Sequence, residues 1–187
     1  MTATIERTTL NGRPVPSSPV RLSLVPVGSV PGLLDGAWWP RSRDLSRELP
    51  ALTDALDAAW GRVTRVTVNP SHWPVIPRKV PVTGHTVHVG WFADEQDPHK
   101  LILLSYAQGR MDLLVIPPEA DAATAARLMS ATAAPGGVLT ASKLMADEGS
   151  AREGTDARSR EEDWETDGGA GSAGGSPVGL LDSAGGR

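Results

Sequence analysis

The stretch Leu101-Ile102-Leu103-Leu104-Ser105-Tyr106-Ala107-Gln108-Gly109-Arg110-Met111-Asp112-Leu113-Leu114-Val115-Ile116-Pro117-Pro118 decides the fold class. Two apolar runs flank a Gln108-Gly109 turn, which reads as two strands joined by a tight connection. Both runs are apolar at consecutive positions, so both faces of each strand need cover and the pair belongs in the middle of a sheet. Pro117-Pro118 ends the sheet, because proline has no N–H to give to a ladder.

Downstream, Asp121 to about Ala133 is an Ala-rich helix with Leu128 and Met129 inward, and Leu139 to Asp147 a shorter one after Gly136-Gly137. Upstream, Lys79–Val82 and Thr86–Phe92 flank Thr83-Gly84-His85 and predict a hairpin. In its second arm Val87, Val89 and Trp91 share one face, His88 and Phe92 the other. Arg62 to Asn69 alternates around Val63, Val66 and Val68 and stops at Pro70, another strand. From Asp44 the apolar positions Leu45, Leu49, Leu52, Leu56, Ala59 and Trp60 recur at three and four, one face of a helix. Asp44 or Ser42 serves as its N-cap and Gly61 as its stop. Pro50 either opens a second helix or kinks a continuous one, with the stripe in phase across it. Before it, residues 26–43 form a Gly/Pro-rich loop, and Arg21–Val25 alternates as a first strand. The order β-α-β-β-β-β-β-α-α predicts an α+β fold: a mainly antiparallel sheet of five to six strands, with helices packed on one face.

This domain spans residues 19–148. Residues 1–18 hold Pro14 and Pro16 without periodicity and read as a disordered leader. Residues 149–187, acidic and then Gly/Ser-rich, read as a disordered, solvated tail, Trp164 included. Charge follows the same division. Residues 20–148 carry 12 Lys+Arg against 13 Asp+Glu, whereas residues 149–187 carry 4 Arg against 8 acids. A near-neutral domain lacks the footprint of a general nucleic-acid binder, so nucleic acid is not an expected partner. The 187 residues contain no Cys, which fits a reducing compartment, and no run is long and apolar enough for a bilayer, so a cytoplasmic protein is expected. Arg outnumbers Lys 15 to 3, the codon bias of a GC-rich genome.

The string Leu34-Asp35-Gly36-Ala37-Trp38-Trp39-Pro40-Arg41-Ser42-Arg43-Asp44-Leu45 is distinctive, as are Glu48-Leu49-Pro50, the Asn69…Trp73…Pro77-Arg78 segment and Gly90-Trp91-Phe92. Together they resemble an actinobacterial family of small domains of unknown function, over roughly residues 20–146. The resemblance implies a cytoplasmic actinobacterial protein and carries no activity, ligand or site.

The residues themselves point to one candidate site: Asp35, Trp38, Trp39, Arg41 and Arg43, joined by Trp73 and Arg78. An exposed Trp beside Arg offers a stacking surface and an anion clamp, suited to a protein partner or a small anionic ligand. The bland alternative has both Trp covering the end of the sheet, with Asp35 pairing Arg41 or capping the turn. His85 and His88 fall on opposite faces of a strand, and neither a His-x-His nor a His-Glu-x-x-His pattern occurs. No metal or cofactor is therefore expected. Ser71-His72 is not a dyad by adjacency, and no nucleophile elbow or phosphate loop is present. A non-catalytic binding or regulatory domain is the leading expectation. Alternatives are an enzyme using His72, His88 or Asp112 near the Trp loop, and a weak single-stranded nucleic-acid binder. An exposed edge strand would also allow a homodimer.

Overall fold

A computed structural model describes residues 19–168; the leader and the Gly/Ser-rich tail fall outside them. The elements run β1 (Leu22–Leu24), β2 (Gly36–Trp38), α1 (Leu45–Ala59), β3 (Val63–Val68), a 3-10 turn (Pro70–His72), β4 (Lys79–Val82), β5 (His85–Trp91), β6 (Lys100–Ser105), β7 (Gly109–Val115), α2 (Ala122–Ala133) and α3 (Ala141–Gly168). The class is α+β as expected.

The sheet has seven strands in the order β1-β2-β7-β6-β3-β5-β4. It is mixed. The pairs β1/β2, β6/β7, β3/β6 and β4/β5 are antiparallel, but β2/β7 and β3/β5 are parallel. The seventh strand is β2, which lies inside the segment expected as loop. Three residues are too few to show a period, and Pro31, Gly32 and Pro40 around them mask the strand. The β6/β7 hairpin sits centrally, as its doubly apolar pattern requires, and β3 inserts between β6 and β5.

Helices cover both faces, not one. Leu113 and Val115 of β7 join Leu45, Leu49, Leu52 and Leu56 of α1 in one core, together with Val66, Val87 and Leu101. Leu114, between them, points the other way and packs with Ala37, Ile116, Ala125, Leu128 and Ala141, under α2 and the start of α3. A strand apolar at every position is the sequence mark of two covered faces. Assigning α2 to the second face requires the chain direction after Pro117-Pro118.

Helix α1 is continuous through Pro50. Asp44 caps it by accepting hydrogen bonds from the N–H groups of Ser46 and Arg47. The Thr53 hydroxyl donates to the carbonyls of Leu49 and Pro50. Asp121 caps α2 through the Thr124 N–H and hydroxyl. Contacts divide the chain at Glu148 and Gly149. In the second unit, the segment expected as coil continues as helix to Gly168. Its Ala, Arg and Glu content and lack of proline favour helix, and it has no apolar stripe. Trp164 on it is 80 % exposed. No helix among the described residues is long and apolar enough to cross a membrane.

Candidate functional site

The Trp-Arg segment is largely built into the fold. Trp38 is 1 % and Trp73 4 % exposed, and their rings stack at 5.7 Å between centroids with an 18° interplanar angle. Neither ring is available to a ligand. Trp39 is half-buried, and its cationic partner is Arg21, whose guanidinium lies 3.5 Å from the ring centroid. Arg21 also donates to the carbonyls of Trp39 and Pro40, at 2.9 and 2.5 Å. Asp35 does not pair with Arg41. Its carboxylate accepts the Asp112 N–H at 2.7 Å and its own N–H donates to the Asp112 carbonyl, so it extends the β2/β7 ladder. Arg41 donates to the Pro19 carbonyl, and its backbone N–H reaches Glu48. Arg43 forms a two-point pair with Glu119 at 2.7 and 3.0 Å. Of the seven expected residues, Arg78 lines an open hollow of about 490 Å³, and Asp35 lines a separate one of about 240 Å³ beside β1.

The larger hollow lies on the half of the second sheet face that α2 does not cover. Its floor follows from register. Lys79 of β4 pairs with His88 of β5, His88 with Arg65 of β3, Arg65 with Leu104 of β6, and Leu104 with Arg110 of β7. Paired residues project to the same side, so one rung of the sheet presents Lys79, His88, Arg65 and Arg110 in a row. Arg78, Thr67, Trp91 and Phe92 complete the wall. A second hollow, about 390 Å³, adjoins it through Arg65 and His88 and adds Arg62, Thr64, His85, Thr86 and Tyr106.

Charge on this face is unbalanced. Asp112 neutralises Arg110 at 2.6 Å and Lys100 at 3.2 Å. Burial pushes the Asp112 carboxyl up, but hydrogen bonds from Arg110 and Lys100 outweigh it and hold the group below its ordinary range. Arg62, Arg65, Arg78 and Lys79 have no ion-pair partner among the described residues. No described carboxylate lines either hollow. Four further acids, Asp44, Glu48, Asp54 and Asp57, belong to α1 and its cap, on the opposite side of the sheet.

A histidine pair forms a separate feature. His72, from the 3-10 turn, and His99, from the loop before β6, have ring centroids 4.4 Å apart at 51°. Asn69 fixes this loop by donating to the carbonyls of Ala93 and Gln96, and Asp97 ties it to α3 by accepting from Ser142 N–H and hydroxyl. His72 Nε2 and His99 Nδ1 are buried without a partner among the described residues. Burial lowers the His72 pKa to about 4, helped by His99 and Arg43 and opposed by Glu119 and Asp97. Burial lowers His99 as well, against the pull of Asp97. Both rings are neutral at pH 7. No group of three or more metal-ligating side chains occurs among the described residues.

The pair has a consequence for acid stability. The unfolded chain takes up a proton on His72 near pH 6.5 but the folded chain only near pH 4, so stability is full above pH 6.5 and falls as pH drops through that window. For a half-exposed ring, screening reduces the effect to about 1–2 kcal/mol. His72→Gln is expected to flatten the melting temperature between pH 6.5 and 4.5. An unchanged slope in calorimetric melts would show that the ring is not the source.

His72, His88 and Asp112 do not converge; none of the described hollows is lined by two of them. The basic row was missed by sequence reasoning, although its residues occupy the polar half of alternating strands. What hid it was strand order, since β3 and β5 are adjacent only in three dimensions. Nothing in the sequence connects His72 with His99.

The chain belongs to a family of unknown function, DUF5994, whose model matches residues 21–132, more than half its length. No curated protein and no solved structure matches it.

Proposed function

For this member of DUF5994 we propose a non-catalytic binding domain that takes an anionic ligand on the open sheet face. The observation that supports it is the register row Lys79–His88–Arg65, flanked by Arg78, with cations unpaired among the described residues and no carboxylate in the walls. Arginine and lysine held on adjacent strands present fixed donors to phosphate or carboxylate oxygens without a further ordering cost. Of the Trp-loop residues, Arg78 alone belongs to this site; the others hold the fold around it. The Cys-free, Arg-rich composition supports a cytoplasmic protein of a GC-rich genome, and the family resemblance of the Trp-Arg string implies an actinobacterial source.

The test is thermal stabilisation of the full chain by inorganic tripolyphosphate. A ligand at 100 times its Kd adds about 2.7 kcal/mol, a shift of several degrees for a domain of this size. Arg65→Ala combined with Arg78→Ala is expected to abolish the shift, and Arg41→Ala to leave it unchanged. A shift lost in Arg41→Ala and kept in the double variant would return the site to the Trp loop.

A further inference from the structure

Two exposed aromatic rings bracket the cationic row. Phe92 directly follows Trp91, the last residue of β5, and Tyr106 directly follows Ser105, the last residue of β6. Phe92 is 56 % exposed and Tyr106 96 %. Phe92 lines the larger hollow and Tyr106 the smaller. The Phe92 N–H donates to the Val68 carbonyl, while Ser105, next to Tyr106, pairs with Val63. The backbone segments that carry the two rings therefore lie at opposite ends of β3, roughly 17 Å apart along the strand from Val63 to Val68. Arg65 and His88, common to both hollows, lie between them.

Resting on the anion-binding reading, we propose that this face binds single-stranded nucleic acid. Bases stack on Phe92 and Tyr106, and the intervening phosphates lie on Arg65 and its cationic neighbours. Each element of the surface has a use in that ligand. A mononucleotide cannot reach both rings. An acidic peptide would satisfy the cations but leave the rings bare, and a duplex keeps its bases stacked on each other. Every base has a π-face, so aromatic rings spaced along a basic track bind unpaired strands without needing a sequence. The near-neutral charge of residues 20–148 argued against such a partner, but it conceals segregation: Arg62, Arg65, Arg78 and Lys79 share the open side, while the acids of α1 lie on the other.

The full-length chain should be titrated against fluorescein-labelled oligo-dT and oligo-U of two to twelve nucleotides, by anisotropy, over a series of salt concentrations. Affinity is expected to rise with length until the two rings are spanned. Neutralising three or four phosphates gives a slope of log K against log salt of about −2 to −3. Phe92→Ala and Tyr106→Ala should each weaken oligonucleotide binding by roughly 5- to 100-fold. Tripolyphosphate stabilisation and the circular dichroism spectrum should stay as in the wild type. If tripolyphosphate binds but oligonucleotides bind no better than dinucleotides, or the ring variants bind like wild type, nucleic acid is wrong and the anion site stands. Duplex binding as tight as single-strand binding would also sink it, and polyglutamate of matched charge binding equally well would replace it with an acidic polypeptide. Failure of tripolyphosphate and oligonucleotides alike would overturn both readings.

Discussion

Trp38→Ala is expected to destabilise the domain by about 3–5 kcal/mol, against a total for domains of this kind of about 5–15 kcal/mol. Trp38 is 1 % exposed and packs with Leu45, Leu49 and Leu113 between the sheet and α1, its ring stacked on Trp73. Truncation removes one of the largest apolar surfaces in the core and leaves a cavity that a stacked neighbour on a short connection cannot fill. Urea denaturation followed by circular dichroism should show the midpoint fall with little change in slope. Trp39→Ala makes the informative contrast. Its ring is half-buried and loses the Arg21 contact, so the expected cost is about 1–2 kcal/mol. Equal, small losses at both positions would contradict the core assignment and restore Trp38 as a surface residue.

Gly36→Ala is expected to cost about 3 kcal/mol or more, and to act on the edge of the sheet. A Cβ at Gly36 would stand 2.2 Å from the Ser23 carbonyl oxygen and 2.9 Å from Leu24 Cα, both backbone atoms, at a φ of +158°. Gly36 pairs with Leu24 on one side and Leu113 on the other, so the clash cannot be relieved without parting β1 from β2. Both overpacking and the unfavourable φ contribute. Hydrogen exchange should show lost protection across Leu22–Leu24, and the melting temperature should fall by about 10 °C. Retained protection at those amides would mean that β1 does not pair as described.

These two positions explain why the Trp-Arg string is so distinctive and yet open to either a buried or a binding reading. Its glycine is required by the close approach of β1, and its first Trp by the core beneath α1. Asp35 serves the backbone of Asp112, and Arg43 binds Glu119 beside His72. A string of aromatic and charged residues has the same letters whether it contacts a ligand or closes a sheet. Burial separates the two cases, and burial is set by residues such as Leu113 and Arg21 that lie far away or on another strand.

The sequence by itself determined the elements whose cause is local. Asp44 before an apolar stripe at three- and four-residue spacing specifies α1, and alternation specifies β3 and β5. Unbroken apolarity specifies the central β6/β7 hairpin, and together these are enough for an α+β class. Only the tertiary structure decided what depends on which strands become neighbours. It placed β3 between β6 and β5, made two pairings parallel, and hid β2 in a loop-like segment. It also put helices on both faces and brought His72 against His99. The same strand order gathers Lys79, His88 and Arg65 from three strands onto one rung. Local periodicity dictates which side of a strand is polar, but it holds no information about the strand that side will lie beside. That choice is made by packing energy summed over the whole sheet, and the candidate binding face is its product.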